Sequence, residues 1–204
     1  MEQKDMWLIE KSHFAKGVKL ICGVDEAGRG PLAGPVCAAA VILPPELEIP
    51  GLDDSKKLTD KRRRELFPVI KEQAVAYSIA FATHEEIDEI NILQATYLAM
   101  ERAINGLSVR PEIALIDGNR AKNFGLPVQT VVKGDSLSAS IAAASILAKV
   151  TRDDYMEEMA KEYPQYAFEV HKGYGTKAHY AALAEHGPSP LHRMTFLKKL
   201  YGEK

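Results

Sequence analysis

The chain has little cysteine, little tryptophan and no long hydrophobic run. Its 204 residues include two cysteines and one tryptophan. Cys22 and Cys37 both sit in apolar, strand-like runs, which reads as buried thiols in a reducing compartment and excludes a disulfide framework. They are neither close-spaced nor followed by nearby histidines, so no zinc site is expected. The longest apolar runs, such as residues 36–43, are far too short to span a bilayer. The N-terminal MEQKDMWLIEK is too charged for a signal peptide. A cytoplasmic protein without membrane contact is therefore expected. A large charge of one sign is missing too: 26 Lys and Arg face 28 Asp and Glu, for a net charge of −2. That average argues against a general nucleic-acid binder, which is usually basic. It hides a local run, however: Lys56, Lys57, Lys61, Arg62, Arg63 and Arg64, opposed only by Asp60. Such a run reads either as a solvated helix face or as a phosphate-binding patch.

What is present suits one soluble domain with a small appendage: 46% apolar and 26% charged residues, with no internal repeat and no low-complexity tract. Three β-like runs come early, at residues 18–25, 36–43 and 75–82. A Gly/Pro-rich loop joins the first two. Between the second and third, a helix is predicted over Asp60–Gln73, with Thr59 as N-cap and Leu66, Phe67, Ile70 and Ala74 on its apolar face. Helices follow at residues 84–89 and 92–107, then short strands at Ile113–Asp117 and residues 128–132. A long helix over residues 136–162 is rich in Ala and Ser in its first half, which lets it pack close to a sheet. The remainder is helical in pieces, around residues 180–185 and 196–201. This order predicts an α/β fold: an antiparallel meander extended by parallel strands, with helices on both faces.

The chemistry lies at the strand ends. Asp25 and Asp117 each end a short apolar strand before a turn, where open α/β sheets collect ligands. Glu26 follows Asp25, and because successive strand residues face opposite ways, both serve one site only if the strand ends there. Asp135 follows the next strand and opens the long helix, where an Asp also serves as an N-cap. Carboxylates clustered in a cleft cannot all stay ionised without a cation. Oxygen-only donors suit Mg²⁺ or Mn²⁺, and such clusters serve phosphoryl transfer by two metal ions about 4 Å apart. The loop from Gly28 to Gly34 misses the dinucleotide fingerprint and leads to a strand rather than a helix. It does offer exposed amides and Arg29, a device for gripping a sugar–phosphate backbone. Tyr174, between two glycines, is expected to be exposed, or else to pack on the C-terminal helices.

The ordered segments GVDEAGRGPLAGP, GLDDSKKL, LIDGN, VVKGD, ASILAKVTRD and HKGYGT closely resemble the bacterial ribonuclease HII family, from about Val18 to the end of the chain. The resemblance implies a ribonuclease H-like mixed five-stranded sheet flanked by helices, with a C-terminal helical segment. The catalytic domain would occupy residues 1–163 and the segment residues 164–204. It implies an endoribonuclease that cleaves the RNA strand of RNA–DNA hybrids and incises 5′ to single ribonucleotides embedded in duplex DNA, by two-metal-ion hydrolysis. By motif, Asp25, Glu26, Asp117 and Asp135 are the implied catalytic metal ligands, for Mn²⁺ or Mg²⁺. Asp153 is a rival for the fourth place, ranked lower because it lies about five helical turns from Asp135; its plain role would be a salt bridge to a base such as Arg152. Gly28, Arg29 and Gly30 match the loop that reads the RNA–DNA junction, where the 2′-OH alone distinguishes the sugars. Tyr174 matches the tyrosine that stacks on the junction sugar, and Lys56 and Lys57 fall near the substrate backbone. His171 could approach substrate; His84, His179, His186 and His192 are assigned no catalytic role. Trp7 precedes the matched stretch and reads as packing or disorder. A monomer is expected, and no replication-clamp peptide is identified.

Overall fold

The computed structural model describes residues 5–202; the outermost ends of the two expected segments, residues 1–4 and 203–204, lie outside the described residues. The elements run α1 (Leu8–Phe14), β1 (Ile21–Ala27), β2 (Val36–Ile42), α2 (Asp60–Gln73), β3 (Ala76–Ala82), α3 (His84–Asn105), β4 (Ile113–Asp117) and β5 (Val128–Val131). They continue with α4 (Ala139–Glu162), α5 (Phe168–His171), α6 (Lys177–His186) and α7 (Lys198–Tyr201). The five strands form one sheet in the order β3-β2-β1-β4-β5. The pairs β1–β2 and β2–β3 are antiparallel, and β1–β4 and β4–β5 are parallel. This is the mixed sheet expected from the sequence, a meander extended by parallel strands.

The two faces of the sheet follow the alternation of its side chains. Val36, Ala38, Ala40 and Ile42 of β2, with Cys22 and Val24 of β1, pack against Ala95, Ala99, Met100 and Ala103 of α3. Cys37, Ala39 and Val41 point the other way, toward Leu66 and Ile70 of α2 and the alanines of α4. Both cysteines are buried free thiols. Helix α4 lies so close to β1 that a Cβ at Gly23 would overlap the backbone of Ser140 and Ile141. The small residues of α4 are what allow this approach.

Several local expectations hold for identifiable reasons. The Thr59 hydroxyl accepts from the Arg62 N–H and caps α2. The two helices expected between residues 84 and 107 are present as α3, broken at Asn91, whose φ is +66°. The Asn91 side chain accepts from the N–H groups of Leu93 and Gln94 and so restarts the helix. Other boundaries move. β1 starts later and runs on to Ala27, because its last residues pair with β2 as far as Ala27 opposite Cys37. The long helix begins at Ala139, capped by Ser138, and Gly134–Ser136 forms a separate 3₁₀ turn. Helix α1 was not anticipated. Trp7 just before it is buried and donates to the Leu47 carbonyl, so it packs. Among the described residues no helix is long and apolar enough to cross a membrane.

Candidate active site

On β1, residues 21, 23 and 25 face α4; on β4, residues 113, 115 and 117 do the same. The parallel pairing brings Val24 opposite Ile116, so the next residues, Asp25 within β1 and Asp117 at the end of β4, lie side by side. The 3₁₀ turn after β5 supplies the third acid. The Gly134 N–H donates to Asp117 Oδ1 at 2.7 Å, which ties that turn to the end of β4 and brings Asp135 in. One carboxylate oxygen from each of Asp25, Asp117 and Asp135 lies within 4.8 Å of the others. Asp135 does not cap α4, since Ser138 does.

Glu26 stands apart from these three. Because β1 continues through Ala27, its side chain leaves by the opposite face from Asp25. It still reaches the edge of the group: Asp25, Glu26 and Asp117 line one cleft of about 220 Å³ with Lys56, Lys149 and Tyr174. Gly28, Arg29 and Gly30 line the same cleft. The topology thus brings the strand-end acids, the glycine loop and the tyrosine, distant in sequence, around one opening.

The electrostatics are those of excess negative charge out of water. Burial, then Glu26 and Asp117, holds the Asp25 carboxyl well above the usual carboxylate range. Burial also raises Glu26, against the opposing pull of Arg29, whose Nη1 is 3.4 Å from Glu26 Oε1. Asp135 is raised by burial and partly relieved by Lys56, whose Nζ is 3.1 Å from its Oδ2. Burial opposes the charge on Lys56, but Asp135, Asp25 and Asp54 outweigh it and raise its pKa. An oxygen-only, partly buried group of acids that must otherwise hold protons or a lysine fits a hard divalent cation.

The remaining expected residues fall as follows. Lys56 stays 74% exposed, and Lys57 Nζ donates to Asp53 and Ser136. Both therefore flank the acids, already engaged with neighbours. Tyr174 is 44% exposed, and a Cβ on Gly30 would lie 3.5 Å from its ring. Asp153 is outside the acidic group; its partner is Lys149, at 2.8 Å, and not Arg152. His171 does not reach the cleft. It is buried, donates from Nε2 to the Tyr166 carbonyl and stacks on His179. His179 and His192 are linked at 2.9 Å, also behind the tyrosine loop.

Two residues went unnoticed in the sequence. The sequence pattern offers Arg152 only as a salt-bridge partner and does not single out Arg193. Both guanidiniums are buried beneath the glycine loop. Arg152 donates to the carbonyls of Pro35, Ala33 and Lys172. Arg193 donates to those of Gly34, Arg29 and Gly28. Gly28 has φ +97°, and a Cβ there would overlap the Arg152 side chain, so glycine is required on both counts. Nothing in the local pattern marks these arginines, because an arginine is by default a surface residue.

Residues 22–199 match the family model described as Ribonuclease HII. The ribonuclease HII of Dechloromonas aromatica is 59% identical over 179 residues, covering 88% of this chain and 91% of that protein. That of Caldicellulosiruptor bescii is 51% identical over 199 residues, 98% and 97% of the two chains. Among solved structures, the ribonuclease H2 of Pyrococcus horikoshii superposes with a TM-score of 0.71 at 29% identity, covering 86% of this chain and 93% of that one.

Proposed function

The chain belongs to the ribonuclease HII family and is a nuclease with endoribonuclease activity, and on that premise we propose that it cleaves the RNA strand of RNA–DNA hybrids and incises 5′ to single ribonucleotides in duplex DNA. One observation carries this reading: Asp25, Glu26 and Asp117 and the loop of Gly28, Arg29 and Gly30 open onto the same cleft as Tyr174. A metal-dependent nuclease needs the first, and a reader of the junction sugar needs the other two.

Asp25, Asp117 and Asp135, with Glu26 beside them, would hold divalent ions, Mn²⁺ or Mg²⁺. When bound there, such ions supply the Lewis acidity of two-metal-ion phosphodiester hydrolysis, activating water and stabilising the leaving oxygen. The chain's own residues do the positioning. The Gly134 N–H orients Asp117. Lys56, exposed and bound to Asp135, can give up that carboxylate and take a substrate phosphate; Lys57 adds a second phosphate contact. The Gly28–Gly30 amides and the Arg29 guanidinium grip the backbone at the junction and meet the 2′-OH, and the Tyr174 ring packs on the sugar. Residues 1–163 are read as the catalytic unit and 164–204 as a helical segment packed on it. An apolar cluster in which Leu32, Ala33 and Met156 meet Tyr166, Phe168, Leu183 and Leu191 supports that division.

The test is a cleavage assay on labelled duplex DNA carrying one ribonucleotide, with Mg²⁺, with Mn²⁺ and with chelator, beside an all-DNA duplex. A single metal-dependent nick on the 5′ side of the ribonucleotide is expected. Cleavage of a long RNA–DNA hybrid without that nick would remove the junction reading and keep the metal site. Cleavage of all-DNA duplex would point to a different nuclease of the same fold.

A further inference from the structure

Arg193 is 0% exposed and Arg152 is 1% exposed, and neither forms an ion pair among the described residues. Removing a guanidinium from water without a counter-ion is strongly unfavourable. What each receives in return is three backbone carbonyls. Arg193 Nη2 donates to Gly28 O at 2.6 Å, Nη1 to Arg29 O at 3.0 Å and Nε to Gly34 O at 2.9 Å. Only a planar fork of five donors can serve several carbonyls at once; a lysine ammonium cannot reproduce it.

The consequence follows from covalent geometry. Every peptide bond among the described residues is trans, and in a planar trans peptide the C=O and the next N–H point opposite ways. With the Gly28 carbonyl drawn inward to Arg193, the Arg29 N–H points outward. With the Arg29 carbonyl drawn inward, the Gly30 N–H does the same. Neither N–H has an acceptor among the described residues. Further along the loop, by contrast, Leu32 N–H bonds to the Gly173 carbonyl and Gly34 N–H to that of Leu191. Two adjacent free donors therefore face the cleft, with a buried cation behind them.

We propose that Arg193 is a positioning residue for substrate discrimination: by holding the carbonyls of Gly28 and Arg29 inward, it aims the Arg29 and Gly30 N–H groups at the oxygen atoms of a ribonucleotide junction. Arg152 is the second arm of the same frame. It bonds to Ala33 and Pro35 on one side and Lys172 on the other, and so ties the glycine loop to the segment that carries Tyr174. The inference rests on the proposed junction-reading function.

The experiment measures binding on an Asp25→Asn background, where cleavage is removed. Affinity for duplex DNA with one ribonucleotide is compared with that for the all-DNA duplex, with and without Arg193→Lys. The parent should prefer the ribonucleotide duplex. Arg193→Lys should lower that preference by roughly tenfold, the equivalent of about one directed hydrogen bond, with little change for all-DNA. Retention of the preference in Arg193→Lys, or an equal loss on both duplexes, would overturn the positioning role alone. A parent with no preference would remove the junction reading and this inference with it. A second measurement needs no arginine variant. In the Asp25→Asn protein the Arg29 and Gly30 amides should exchange freely without DNA and become protected with the ribonucleotide duplex, while Leu32 and Gly34 stay protected throughout. Protection of Arg29 and Gly30 in the free protein, or none on binding, would refute the geometry.

Discussion

Replacing Asp25 by Asn should move stability and metal response in opposite directions. Three carboxylate oxygens lie within 4.8 Å of one another. At that distance and an effective dielectric of about 20, each ionised pair repels by roughly 3.5 kcal/mol. Asp25 is central to the repulsion, with Glu26 and Asp117 both disfavouring its charge beyond the effect of burial. Asparagine keeps the shape and removes the charge. Because burial and its acidic neighbours already disfavour the charge on Asp25, the gain should fall below one full pair, at about 1–3 kcal/mol. For 204 residues, an unfolding entropy of about 2.1 cal/mol/K per residue converts this to a Tm rise of roughly 2–7 °C in chelator. Metal should act the other way. Mn²⁺ at about 100 times its Kd would stabilise the unmodified protein by about 2.7 kcal/mol, or some 6 °C. Asp25→Asn should lose most of that shift and all cleavage. The assay is thermal unfolding of both proteins with chelator and along a Mn²⁺ titration. A variant less stable than its parent in chelator would refute the repulsion argument. A variant stabilised by Mn²⁺ as much as its parent would refute the ligand assignment.

Tyr174→Ala should reduce cleavage at single ribonucleotides more than cleavage of long hybrids, measured as kcat/KM on each; equal loss on both would refute its junction role. Replacing Lys56 and Lys57 by Ala should weaken substrate binding and flatten its salt dependence by about one unit of slope per lost phosphate contact. An unchanged slope in a binding titration would return both lysines to a purely internal role. Burial, and then His179, push the pKa of His192 down to about 4, with His171 and His84 adding to the effect. Its folded pKa lies below the unfolded value of about 6.5, so the unfolded chain binds more protons between them. Stability should therefore be complete above about pH 6.5 and fall by about 3 kcal/mol as pH drops toward 4. Chemical denaturation across that window checks it. A slope that persists unchanged in His192→Gln would assign the loss to other groups.

The sequence by itself carried the architecture and the main acids. The strands and helices were readable because their apolar residues recur with the period of each element. Even the break at Asn91 coincides with the gap between two helical patterns. Asp25 and Asp117 were readable because each follows a short apolar run, and parallel neighbours bring such positions together, although only Asp117 ends its strand. For Tyr174 the pattern left exposure and packing on the C-terminal helices both open, and the structure leaves it exposed.

Other features exist only in three dimensions. Whether Asp25 and Glu26 share a face depended on where β1 stops, and its pairing with β2 carries it past both. Asp135 could have been a helix cap; Ser138 takes that role, and the Gly134–Asp117 hydrogen bond draws Asp135 to the other acids. The roles of Arg152 and Arg193 come from partners more than a hundred residues away, in most of their bonds. Local pattern reports how a residue sits on its own helix or strand. It carries no information about which distant carbonyl will need a donor once the sheet has closed, and that need is what buries these two charges.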